Sequence, residues 1–195
     1  MYDFHSGILH VVLDAPESVN LPLIGKSAAS FQRHHHDPAE LSREPMWMAF
    51  NDFLPILAAH SPAAGVCCTL VDAPMYAPVL ATKILCSYLG QWGHVNAHTR
   101  PSQQLAMSKL LVSCRAMLGP RVHKGHHTPP HDSNFCLGST KVADMMVNML
   151  HAMKLPYIIW FGLFWFITLG IMEPLVLLCT ESGLPFRFNA SSPRW

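Results

Sequence analysis

From Asp3 to Asp14 the chain is mostly apolar, and Asp3, Gly7, His10 and Asp14 fall four, three and four residues apart. That spacing predicts a helix with one distinct stripe, because positions three or four apart share a helical face. A polar stripe on an apolar helix points into a bundle interior or a site, since lipid would leave it unsatisfied. Pro16, Pro22 and Gly25 make Ala15 to Lys26 a loop. The next helix carries Ser30 to His36 and is stopped by Asp37-Pro38. Nineteen residues from Phe53 to Val71 carry no formal charge, and a second mostly apolar stretch runs from Asp72 to Thr99. The two read as arms of a helical hairpin entering a membrane, with Pro74 and Pro78 at its turn. Leu155 to Met172 is the clearest span: eighteen uncharged residues that include Trp160, Phe161, Phe164, Trp165 and Phe166. Three units are therefore expected: residues 1–150 carrying the histidines, a C-terminal membrane helix over 151–182, and a disordered tail over 183–195.

Composition agrees with a membrane setting. Hydrophobic residues make up 50% of the 195 and charged residues 13%, about half the usual share for a soluble domain. The fold class expected is all-α, an integral membrane helical bundle. Cys67, Cys68, Cys86, Cys114, Cys136 and Cys179 show no CxxC spacing and read as thiols in a reducing compartment. Met1 to His5 has neither the basic start nor the apolar run of a secretory signal. Between Asp72 and Asp132 there is no acidic residue, while Lys83, Arg100, Lys109, Arg115, Arg121 and Lys124 all occur. Such a stretch is either a solvated face or a surface for the phosphates of anionic lipid or nucleic acid.

Histidine carries the candidate chemistry. His123, His126, His127 and His131 fall within nine residues, and a helix over Val122 to His127 places the first three on nearly one face. His94 and His98 are four apart and share a face. In the run His34-His35-His36 adjacent rings point about 100° apart, so all three cannot bind one ion, but two could serve neighbouring ions. His10 is a further candidate ligand, with Asp14 expected to orient a ring from outside the ligand set. Imidazole suits zinc, copper, iron and nickel alike. No Cys stands at finger spacing from a His and HExxH is absent, which disfavours structural zinc and a metallopeptidase. So many imidazoles suit two ions better than one, at a membrane surface where two irons with O2 can attack an unactivated C–H bond.

The motifs resemble the Kua-type lipid desaturases, the family that includes plasmanylethanolamine and plastid fatty acid desaturases. Asp3-x-x-Ser6-Gly7-x-x-His10-x-x-x-Asp14 resembles the family's first signature, and Leu21 to Lys26 the segment after it. Phe31 to Pro38 is similar to the HH box, His94-x-x-x-His98 to the HxxxH box, and His123-x-x-His126-His127 to the HxxHH box. Glu44 and Val122 stand where some members carry histidines, and the membrane helices that precede the first signature are not represented. A partial or divergent member is therefore expected. The resemblance implies a membrane enzyme with two Fe ions, O2 as co-substrate, and His10, His34, His35, His94, His98, His123, His126, His127 and His131 as ligands. Asp14 would lie outside them, with no catalytic residue beyond the metal site. Implied partners are a phospholipid substrate and an electron donor, cytochrome b5 or ferredoxin, in an endoplasmic reticulum or plastid membrane, with no nucleic acid. Arg121 and Lys124 would meet the lipid head group. The alternative is a non-catalytic relative acting as a scaffold.

Overall fold

A computed structural model describes residues 2–43, 45–51, 54–56, 58, 73–129, 131, 133–137 and 141–168. These residues are helical with no strand among them. In chain order the helices are α1 (Tyr2–Asp14), α2 (Gly25–His36), α3 (Glu40–Arg43), α4 (Met46–Asn51), α5 (Ala73–His98), α6 (Ala106–Ser113), α7 (Pro120–His126), α8 (Lys141–Ala152) and α9 (Tyr157–Thr168), with a 3₁₀ turn over Pro16–Asn20.

The N-terminal helix is the hub, packing against α2, α5, α8, α9 and the 3₁₀ turn. Ile8, Val12 and Leu13 are fully buried and meet Ile24, Ala28 and Phe31 from the α2 side. Val147 of α8 and Trp160, Phe164 and Ile167 of α9 complete the same core. Close approach of α8 depends on Gly7, because a Cβ there would lie 2.7 Å from Cys136 Sγ and 2.8 Å from Val147 Cγ2. Gly25 plays the same part at the start of α2, where a Cβ would come within 2.4 Å of the Val19 carbonyl oxygen. The stretch expected as a loop before α2 is thus partly a 3₁₀ turn, and α2 begins at Gly25.

Side chains fasten the end of α1, where orphan helix carbonyls need donors. Gln32 Nε2 donates to the Leu13 carbonyl at 3.1 Å and to the Ala15 carbonyl at 2.9 Å. Ser18 Oγ donates to the Val12 carbonyl at 2.5 Å and lies 2.6 Å from the Tyr157 hydroxyl, joining the turn to α9. Ser6 Oγ accepts the Leu137 N–H at 2.9 Å, holding the segment before α8 against α1.

Pro74 and Pro78 do not mark a turn: both lie inside α5. Pro74 occupies the first turn, where the missing N–H has no intrahelical partner to lose, and Pro78 forgoes one bond. Among the described residues no helix is long and apolar enough to cross a membrane. Most of the expected first hairpin arm over 53–71, and residues 169–172 of the expected last span, lie outside the described residues, as does 183–195. The described part of that last span, α9, lies against α1 in the shared core.

Candidate metal centre

Four helices deliver histidines to one place. The α1 stripe contributes His10 and Asp14, the last turn of α2 His34 and His35, the last turn of α5 His94 and His98, and α7 with its cap His123, His126 and His127. His10, His34, His94, His123 and His126 are buried. Their mutual ring distances are short: His10 to His94 5.4 Å, His10 to His126 4.9 Å, His34 to His94 4.8 Å and His94 to His123 4.6 Å. Phe31 packs on the rings of His10, His34 and His94, forming an apolar wall beside them.

The donor atoms fall into two groups. His34, His94, His98, His123 and His127 each offer a nitrogen within 4.8 Å of all the others, and Asp14, His35 and His126 form a second group by the same measure. The groups touch through His34–His35, whose rings are 4.8 Å apart, and His35–His127, at 4.6 Å. Within the larger group Nε2 atoms approach Nε2 atoms: His94–His98 at 3.3 Å, His98–His123 at 2.8 Å and His123–His127 at 3.0 Å. Two nitrogens each about 2.1 Å from one ion stand about 3.0 Å apart at a right angle and about 3.4 Å apart at a tetrahedral angle. His34 Nε2 is buried with no hydrogen-bond partner, a state that costs free energy unless a ligand fills it. The residues therefore fit a cluster of metal ions.

Electrostatics favour the unprotonated state that metal binding needs. Burial first, then the neighbouring His126, lowers His10 to about 3. Burial and the adjacent imidazoles hold His34 and His123 well below the ordinary value, and lower His127 to about 2. Burial alone would raise Asp14, but His126 and His35 beside it hold its carboxyl far below the usual carboxylate range.

Several residues hold the site without belonging to either group. His126 Nδ1 lies 3.0 Å from the Ser133 carbonyl, and this bond sets its tautomer with the proton on Nδ1. His131 Nδ1 donates to the His126 carbonyl at 2.8 Å and lies 3.3 Å from His35 Nδ1. Its backbone sits at φ 61°, in the left-handed region that histidine enters more readily than most residues. His131 thus stands behind His35, outside both groups. His36 is exposed. Arg121 and Lys124 are exposed too, while His123 and His126 on the same helix are buried. Gln32, Ser6, Ser18 and Ser133 were not foreseen as supports. Ser6 lay inside the first signature, and its place one turn from His10 was the available signal.

Fold and site define a class: a protein whose described residues form helices and no strand, and bring histidines and one carboxylate together in two adjacent groups that could hold metal ions. A family model described as the lipid desaturase domain matches residues 1–157. The chain belongs to that family. It is 24% identical over 163 residues to a chloroplastic fatty acid desaturase 4-like 1 of Arabidopsis thaliana, covering 82% of this chain and 54% of that one. It is 29% identical over 148 residues to plasmanylethanolamine desaturase 1 of Mus musculus, covering 69% of this chain and 52% of the relative. The chain thus spans about half the length of these curated relatives. No solved structure matches it.

Proposed function

We propose that this chain carries the metal-binding core of a membrane lipid desaturase, which introduces a double bond into an alkyl or acyl chain of a glycerophospholipid. The observation that carries the reading is the pair of adjacent donor groups linked by the neighbours His34 and His35. Iron is the metal proposed, at two ions per chain. Bound iron would supply the O2 chemistry: two hydrogens leave the lipid chain, and with O2, two electrons and two protons they end as two waters. The protein's own part is to keep its imidazoles neutral, hold the donors in place, and shield the site with Phe31 and Phe135, whose ring is 5.3 Å from that of His126.

Membrane association is supported by the outer faces of α8 and α9. Val142, Met145, Met146 and Met149 are exposed on α8, Met153 just past its end, and Ile158 and Ile159 on α9. On α8 the exposed positions 142, 145/146 and 149 recur at helical spacing and form an apolar stripe. The membrane would be that of the endoplasmic reticulum or the plastid, the latter matching the chloroplastic relative, with cytochrome b5 or ferredoxin as electron donor. Arg121 and Lys124 would sit at the phosphate of the head group. The loss of a family histidine at Val122 bears little on the site, because Val122 is 52% exposed while its neighbour His123 is buried. Glu44 lies outside the described residues.

The test is elemental analysis of the detergent-purified protein together with a His126→Ala/His127→Ala variant, followed by lipid profiling of cells that express each. About two irons per chain, reduced in the variant, with a new unsaturated lipid in wild-type cells alone, is the expected result. One zinc per chain, or no metal after iron-supplemented expression, would overturn the reading in favour of a non-catalytic relative.

A further inference from the structure

The smaller donor group differs in kind from the larger. Asp14 Oδ1 lies 3.1 Å from His35 Nε2, and Asp14 Oδ2 lies 3.1 Å from His126 Nε2. His126 Nδ1 donates to the Ser133 carbonyl, so it is Nε2 that faces the carboxylate. His35 Nε2 and Asp14 Oδ1, though close, are both buried and neither makes a hydrogen bond. They lie close without pairing with each other, as two ligands of one ion do.

We infer that Asp14 is a direct metal ligand, and that Asp14, His35 and His126 form a two-histidine, one-carboxylate iron site with open coordination positions. The five imidazoles of His34, His94, His98, His123 and His127 form a second, nearly saturated site. The inference rests on the metal-binding reading above and assigns different tasks to the two positions. Ligand count is the reason: five donors leave an ion little room, whereas a two-histidine, one-carboxylate set typifies non-haem ferrous sites that take O2. The carboxylate also lowers the net positive charge of its ion, which the all-imidazole group cannot do.

The test uses the full chain, loaded anaerobically with ferrous iron. Iron per chain is measured alongside bound nitric oxide, a probe of open ferrous positions, read from its N–O stretch in the infrared. Wild type is expected to hold two irons and one nitric oxide. Asp14→Asn, which keeps the side-chain shape and removes the charge, should hold one iron and bind almost no nitric oxide; Asp14→Glu should restore the second iron. Two irons retained in Asp14→Asn, or nitric oxide still bound to its single iron, would overturn the inference while leaving the desaturase reading standing. Loss of both irons in a folded Asp14→Asn would likewise overturn it, since the two positions would then not be separate. A wild type without iron would remove both readings together.

Discussion

One of the tight approaches among the described residues is that of α8 to α1 at Gly7, and it can be tested by one methyl group. In Gly7→Ala the new Cβ would stand 2.7 Å from Cys136 Sγ and 2.8 Å from Val147 Cγ2. Neither neighbour is the end of a long, flexible side chain: Val147 is branched and fully buried, and Cys136 is buried in the same core. Overpacking of this kind costs about 1–3 kcal/mol. Against it stands the helix propensity gained when Ala replaces a mid-helix Gly, about 1 kcal/mol. The expected net effect is a loss of about 1 kcal/mol, which lowers Tm by about 2–4 °C in a chain of this size. The double variant Gly7→Ala/Val147→Ala separates the causes. Removing the Val147 methyls relieves one of the two clashes and leaves that with Cys136 Sγ, so the pair should be more stable than the sum of the single effects, with a coupling of about 1 kcal/mol. Thermal unfolding of the metal-stripped protein in detergent, followed by circular dichroism, provides the measurement. An unchanged or raised Tm in Gly7→Ala, or purely additive effects in the pair, would refute the account of why Gly7 stands there.

Three further outcomes follow from the same geometry. An unfolded imidazole takes a proton below about pH 6.5, whereas folded His10 does not until about pH 3, so the metal-stripped protein should lose stability as pH falls between those values. Each such histidine contributes a slope of up to about 1.4 kcal/mol per pH unit; denaturant titrations that are flat from pH 6.5 to pH 4 would contradict it. Gln32→Leu strips the donors from the Leu13 and Ala15 carbonyls and should cost about 1–3 kcal/mol. Because those carbonyls flank Asp14, iron retention should also drop, and full retention at wild-type stability would be the opposing result. Arg121→Gln/Lys124→Gln should raise the apparent KM for an anionic lipid with little change in metal content, since both residues are exposed. Equal KM for anionic and neutral lipids in wild type and variant would remove the head-group role.

Helical periodicity made the histidine-bearing faces legible, and it stopped at the faces. The four-three-four spacing from Asp3 to Asp14 marks a stripe on α1, and the structure puts the site at the His10 and Asp14 end of it. It could not say that the Gly7 position on this stripe is where another helix packs, because that depends on Val147, 140 residues further along. The prolines misled for a related reason. Pro74 and Pro78 read as a turn, but both lie within α5, Pro74 in the first turn where the missing N–H costs little and Pro78 at the loss of one backbone bond. Asp14 shows the limit most clearly. A carboxylate four residues after a histidine reads as an outer partner of that histidine, yet the rings nearest its oxygens are His35 and His126, from two other helices. The adjacency of His34 and His35 then explains how one chain can serve two ions. A single residue step turns a side chain by about 100° around the helix, so neighbours on α2 face different donor groups while their rings stay 4.8 Å apart. With α7 the same step divides His126 from His127. The neighbours His34 and His35 on α2, and His126 and His127 at the end of α7, are thereby divided between two adjacent donor groups, completed by Asp14 from α1 and by His94, His98 and His123.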